Sequence, residues 1–334
     1  MSVTNFEHKH SAHCESGVMS SILRHNGLDL SEPMVFGLAN ALTFAYLPFI
    51  KMGGMPLIAY RSMPKSIIKS ISKSLKVKMK LETFSNKQKG QNRLNELLNN
   101  GQIVGAQTSV YWLPYFPPEM RFHFNAHNLL VFEKEKDIYK ISDPVFEHSV
   151  ESDAESLLKA RFTKGVMAPK GLLYYPIDVP KNIDLKPLII KSVKKVAKTM
   201  LNTPVPIAGL KGVAYLAKSI LKLESKEKKY AKLFLGHIVR MQEEIGTGGA
   251  GFRYIYASFL QESSLICDNS KTLKEASIMM LEVGDRWREF ALIIAKAIKS
   301  KEKIDYKVIS DTLLFIKDEE AKVYRKMLEF TGKN

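Results

Sequence analysis

A thiol, an imidazole and a carboxylate are the groups from which a cysteine nucleophile, its base and the base's orienting acid are built, and Cys14, His127 and Asp143 supply one of each in that order. Cys14 opens a stretch in which Cys14, Val18 and Ile22 recur at helical spacing, joined by Met19 and Leu23 and stopped at Gly27. The cysteine therefore falls in a helix's first turn. There the helix amides favour a thiolate, and they point toward the oxyanion that forms when a carbonyl is attacked.

His127 and Asp143 belong to an expected hairpin. The runs His127 to Phe132 and Ile138 to Asp143 flank the charged loop Glu133-Lys134-Glu135-Lys136-Asp137. Matching the apolar faces pairs Leu129 with Ile141 and Val131 with Tyr139, which sets His127 directly opposite Asp143. An aspartate there accepts one imidazole N–H and leaves the other nitrogen to act as base.

Plainer readings exist for each residue alone. A cysteine on a buried helix face is by default a small core residue, and a histidine and aspartate on neighbouring strands are usually structural. Only the helix-start position and the chain order together favour chemistry. A zinc site is the rival, since His8-Lys9-His10-Ser11-Ala12-His13-Cys14 packs three imidazoles and a thiol into seven residues. No second cluster with ligand spacing accompanies it, so the expectation is no metal. His13, His8 and Glu15 then become candidates for shaping the site or holding an oxyanion. Trp112, in the rigid aromatic loop Trp112 to Pro118, is a candidate wall for an acyl pocket or a merely packed loop.

The elements that position these residues come from a chain of 334 residues, long enough for two domains. Hydrophobic residues make up 45% and charged residues 25%, which excludes a disordered or fibrous chain. The first half alternates helical and strand-like pieces, including a helix over 64–75 and another over 91–98. The second half is helical almost throughout, near 188–201, 208–221, 226–245, 252–267, 271–298 and 307–330. Tyr175-Pro176-Ile177-Asp178-Val179-Pro180-Lys181-Asn182, with two prolines, reads as the linker. The expected fold is an α+β domain over 1–177 followed by an all-α domain over 186–334. Val35 to Ile50 is too short and too interrupted for a membrane span and reads as buried protein. Two cysteines make no disulfide framework, and no hydrophobic signal opens the chain, so a reducing cytoplasm is the expected location.

The segment from His13-Cys14-Glu15-Ser16-Gly17 through Asn26-Gly27-Leu28-Asp29-Leu30-Ser31-Glu32-Pro33 to Phe36-Gly37-Leu38 resembles the N-terminal domain of butirosin biosynthesis protein H. The resemblance runs on through His127 and Ser142-Asp143-Pro144. Ile245 to Arg253 and Asp285-Arg286-Trp287-Arg288 resemble the helical domain of unknown function that commonly follows it. The resemblance implies a papain-like, cysteine-peptidase-like fold that transfers an acyl group from an acyl-carrier-protein thioester to a small-molecule amine. It implies Cys14 as nucleophile, His127 as base and Asp143 as orienting residue, with no cofactor beyond a phosphopantetheine-linked donor. The papain pattern carries a glutamine oxyanion donor shortly before its cysteine. Position 8 is histidine here, so the donor stays open. Hydrolysis by the same three residues, and a non-enzymatic basic binding module, remain the alternatives.

Gly246, Gly248 and Gly251 fit G-x-G-x-x-G, but a helix precedes them where a dinucleotide site needs a strand. A helix-helix turn is one reading; a phosphate held by Gly248, Gly249 and Arg253 is the other. The net charge of +16 favours an acidic partner. Arg61, Lys65, Lys69, Lys73, Lys76, Lys78 and Lys80 form a run with no acid between them, either a solvated helix face or, through Lys65, Lys69 and Lys73, a docking surface for an acidic carrier protein. Nucleic acid is disfavoured because no stacking platform accompanies the lysines. Up to Ile177 there are 21 basic against 15 acidic residues, and beyond it 29 against 19, so both halves share the excess. Oligomeric state is left open.

Overall fold

The computed structural model describes residues 5–332. In chain order the elements are α1 (Cys14–His25), α2 (Glu32–Leu38), β1 (Leu42–Met52), β2 (Met55–Arg61), α3 (Ser66–Leu75), β3 (Lys78–Glu82), α4 (Lys87–Asn99) and β4 (Val104–Thr108). They continue as β5 (His127–Glu135), β6 (Ile138–Ser142), β7 (Val150–Asp153), α5 (Ala154–Arg161) and β8 (Leu173–Asp178). The C-terminal region is all-helical: α6 (Lys186–Asn202), α7 (Gly209–Leu221), α8 (Lys228–Glu243), α9 (Arg253–Ile266), α10 (Lys271–Lys299) and α11 (Tyr306–Gly332).

Two compact units result. The first holds the described residues up to Val35 together with Ile67–Ile183, and the second holds Phe36–Ser66 together with the chain from Asp184. The first unit is α+β, built on one antiparallel sheet in the order β3-β8-β4-β5-β6-β7. One face of that sheet carries Val104, Ala106, Leu129, Val131, Tyr139 and Ile141, covered by Leu94 and Leu97 of α4 and Leu157 and Ala160 of α5. The alternate residues of β4 and β5 face α1, as the two-residue period of a strand requires.

α1 is buried from Cys14 to Leu23, which is why Val18, Met19, Ile22 and Leu23 all carry apolar side chains. His13 caps it by accepting from the Ser16 amide at 3.3 Å, and the Glu32 carboxylate accepts from the amides of Ala12 and His13, both at 2.8 Å. Gly27, at φ +88, ends it as expected. Gly17 is needed for another reason. A Cβ there would meet the Cβ atoms of Pro144 and Ser11 at 2.7 Å, so its absence lets the turn after β6 settle against α1.

Three features differ from the sequence expectations. Residues 42–61 form a two-stranded hairpin packed with the second unit, where Phe44 stacks on Trp287, Tyr60 meets Trp287 edge-on and Tyr46 lies against Phe234. Apolar on both faces, this segment carries no period-2 signal. Residues 173–178 are an internal strand despite Pro176, although the linker is expected from Tyr175 onward. β4 pairs with β8 only at Leu173 and Tyr174, and β3 shifts register beside Pro176, so the ring sits where few ladder bonds are lost.

The hairpin register is the third. Val131, not Leu129, pairs with Ile141, and Glu135 pairs with Ile138 around a two-residue turn, with a bulge between Val131 and Glu133. The slip is two residues on β5. An even slip keeps every side chain on its face, so His127 becomes a diagonal neighbour of Asp143 instead of its direct partner.

In the second unit the Arg253 guanidinium is fully buried, paired with Glu320 at 2.8 Å and packed against the Tyr60 and Trp287 rings. Among the described residues no helix is long and apolar enough to cross a membrane.

Gly17→Ala is expected to lower the unfolding free energy by about 1–3 kcal/mol through overpacking. Gly236→Ala in α8, whose nearest neighbour atom would lie at 3.8 Å, is expected to be neutral or stabilising. Chemical denaturation of both variants checks the contrast.

Candidate functional site

The site begins at the first residue of α1. Cys14 is 4% exposed, and its sulfur lies 3.9 Å from Nδ2 of Asn128, the second residue of β5. His127, the first residue of that strand, donates from Nε2 to Oδ2 of Asp143 at 2.6 Å. With Nε2 so engaged, Nδ1 is the ring nitrogen left for the thiol.

Asp143 has no exposed surface, and a bare carboxylate there would be costly. Its two oxygens are met by three donors. Oδ2 accepts from His127 and from the Tyr115 hydroxyl at 2.9 Å, and Oδ1 accepts from the Val145 amide at 3.3 Å. Tyr115 is delivered by the aromatic loop, which Arg121 pins through the carbonyls of Phe116 (2.7 Å) and Pro114 (2.6 Å). Phe116 meets the His127 ring edge-on at 5.5 Å.

Burial is the largest single influence on His127 and favours the neutral ring, but the charge and hydrogen bond of Asp143, reinforced by those of Cys14, outweigh it and raise the imidazole to about 10. The ring therefore carries its proton at neutral pH. Burial first, then the Asp143 charge, holds the Tyr115 hydroxyl well above the ordinary tyrosine range, so it stays a donor.

The other expected site residues separate. Both ring nitrogens of His8 are engaged, Nδ1 with the Ser142 hydroxyl (2.7 Å) and Nε2 with the Phe146 carbonyl (2.9 Å), so it ties the chain before α1 to the turn after β6 and offers no oxyanion donor. His13 is the cap of α1. Glu15 accepts from the Ile67 and Ile68 amides at 3.0 and 3.3 Å, capping α3; a carboxylate so placed donates nothing. Trp112 is 37% exposed and lies under Lys159, while its loop neighbours Tyr115 and Phe116 reach Asp143 and His127. Among the described residues no group of three or more histidines, cysteines or acids is placed to hold a metal ion.

α3 starts at Ser66, so Lys65 precedes it, half-buried with φ +70, and only Lys69 and Lys73 stand exposed one turn apart on the helix. The glycine turn carries no phosphate cradle. Gly249 donates its amide to Thr247 Oγ1, Ala250 donates to the Glu243 carboxylate, and the Arg253 side chain is committed to Glu320, so two of the turn's amides and the guanidinium are engaged within the fold and a carboxylate lies against the turn.

Asn128 and Tyr115 are the site residues that sequence reasoning passed over. The one signal for Asn128 is an amide directly before the apolar run Leu129-Leu130-Val131; for Tyr115 there is none beyond its aromatic loop.

A thiol at a helix start, an imidazole beside it and a sealed carboxylate behind the imidazole are the parts of cysteine-dependent acyl transfer or hydrolysis. The chain belongs to the family in which a butirosin biosynthesis protein H N-terminal domain, matched here over residues 13–144, is followed by a domain of unknown function (DUF4872), matched over 155–327. No curated protein matches the chain. Among solved structures, a putative C39-like peptidase from Bacillus anthracis is similar at 14% identity and a TM-score of 0.38, over 53% of this chain and 96% of that one.

Because folding lifts His127 above its ordinary 6.5, the folded state holds a proton that the unfolded chain releases between pH 6.5 and about 10. Its stabilisation is complete below pH 6.5 and fades as pH rises to about 10. Unfolding free energies measured across that range should fall by a component absent from His127→Ala. By NMR titration, Asp143→Asn should drop the His127 value below 6.5, since burial is then opposed only by Cys14.

Proposed function

We propose that this protein is an acyltransferase that takes an acyl group from a carrier-protein thioester onto Cys14 and passes it to an amine. The observation that carries the reading is the 2.6 Å bond between His127 and a fully buried Asp143 beside a cysteine at a helix start. Cys14 sulfur attacks the thioester carbonyl, and the pair of electrons moves to oxygen. When the carbonyl re-forms, the donor thiolate leaves and takes the proton His127 held. An amine then attacks the acyl-enzyme, gives its proton to His127, and Cys14 is released.

The family's name points to a biosynthetic role, which favours transfer to an amine over release to water. An acidic carrier protein is the partner we infer, drawn by the positive balance of the chain, with Lys69 and Lys73 its exposed contacts on α3. Such charges steer encounter more than they tighten it, so the association should weaken at higher salt.

Product analysis tests the reading. With an acyl thioester and a panel of primary amines, the wild-type protein should form amide in preference to free acid, and Cys14→Ala should form neither. Free acid as the sole product at every amine concentration would make the protein a hydrolase.

A further inference from the structure

The acyl transfer proposed above needs a donor for the oxyanion, and neither His8, Glu15 nor Trp112 is placed to be one. We propose that the side-chain amide of Asn128 is this donor, an assignment that rests on the acyl-transfer reading. Its Nδ2 stands 3.9 Å from the nucleophilic sulfur.

The amide's orientation is determined by its partners. Nδ2 donates to the Ala126 carbonyl at 3.1 Å, and Oδ1 accepts from the Tyr174 hydroxyl at 3.0 Å. Reversing the amide would set two acceptors, Oδ1 and the Ala126 oxygen, against each other. Burial, with the charges of Glu15 and Cys14 adding to it, keeps the Tyr174 hydroxyl protonated well above the ordinary range, so it remains a donor. Tyr174 is itself held by Gly105, where a Cβ would meet its ring at 2.2 Å.

Asn128 is 2% exposed and Tyr174 has no exposed surface. A buried amide is costly unless its groups are bonded. One N–H goes to Ala126 and the oxygen to Tyr174, while the second N–H has only the sulfur, at a distance too long for a strong bond. That under-used donor points at the atom where the reaction starts. When sulfur bonds to the carbonyl carbon, the displaced electron pair lands on an oxygen attached to that same carbon, within reach of Nδ2. Collapse of the intermediate restores C=O, breaks the bond to the leaving thiolate and frees the amide for the next cycle.

Two reactions at the same cysteine isolate this role. Acylation by a small N-acylcysteamine thioester passes through an oxyanion; alkylation by iodoacetamide does not. In the full-length chain, Asn128→Ala should slow acylation of Cys14 by about 100-fold or more and leave alkylation within a few-fold of wild type. Tyr174→Phe, which frees the amide but keeps the ring, should slow acylation less, with alkylation again unchanged. Unchanged acylation in Asn128→Ala overturns the assignment, and so does a parallel loss of both reactions, the mark of a merely structural residue. Should Asn128→Ala lose its fold by circular dichroism, Tyr174→Phe decides on the same criteria. A wild-type chain that alkylates at Cys14 but never acylates removes the acyl-transfer reading itself, and the oxyanion role with it.

Discussion

The hydrogen bond between His127 and Asp143 is the constraint around which the first unit is arranged. A carboxylate with no exposed surface is tolerable only if both its oxygens are hydrogen-bonded, and the chain spends three separate segments on bonding them. β5 supplies the imidazole, the aromatic loop supplies Tyr115, and the turn after β6 supplies the Val145 amide. Gly17 then allows that turn to rest on α1, where the Ser11 amide donates to the Pro144 carbonyl at 2.6 Å, and this joins Cys14 to the pair. His8 ties the same turn from the other side.

Electrostatics follow from that packing. Water is excluded from both partners, so the attraction between imidazolium and carboxylate is poorly screened and overcomes the burial that would neutralise a lone histidine. Cys267 is a useful contrast. It sits at the C-terminal cap of α9, the end of a helix that disfavours negative charge, and burial pushes its thiol up, with Asp268 and Asp184 adding and Lys186 opposing. Of the two thiols, only Cys14 stands at a helix start beside an imidazole.

Much of this was legible in the residues, and the misses have physical reasons. Most helices of both halves were visible because their apolar residues recur at helical spacing, and the stop of α1 at Gly27 was a local signal; α5, only eight residues long, was not seen. His127 and Asp143 were brought together on an assumed register that slipped by two residues; the pairing survived because parity, not register, decides which face a side chain takes. Residues 42–61 were illegible because apolar side chains occupy both faces of β1, including the exposed Phe49 and Ile50 near the hairpin tip, and the strand containing Pro176 because it is paired for only part of its length. Asn128, Tyr115 and Tyr174 act through contacts between segments far apart in the chain, and no local pattern announces them. The glycine turn before α9 shows the converse, a motif-like spacing in which the Gly249 and Ala250 amides are taken by Thr247 and Glu243.

The central claim is that Cys14 carries the acyl group and that His127 makes it able to do so. Peptide-mapping mass spectrometry of the protein, quenched within the first turnover after mixing with an acyl thioester, tests it most directly. The account predicts acyl mass on the peptide containing Cys14 alone, and its loss in His127→Ala. Acyl mass on the Cys267 peptide, or equal labelling of Cys14 with and without His127, would contradict it.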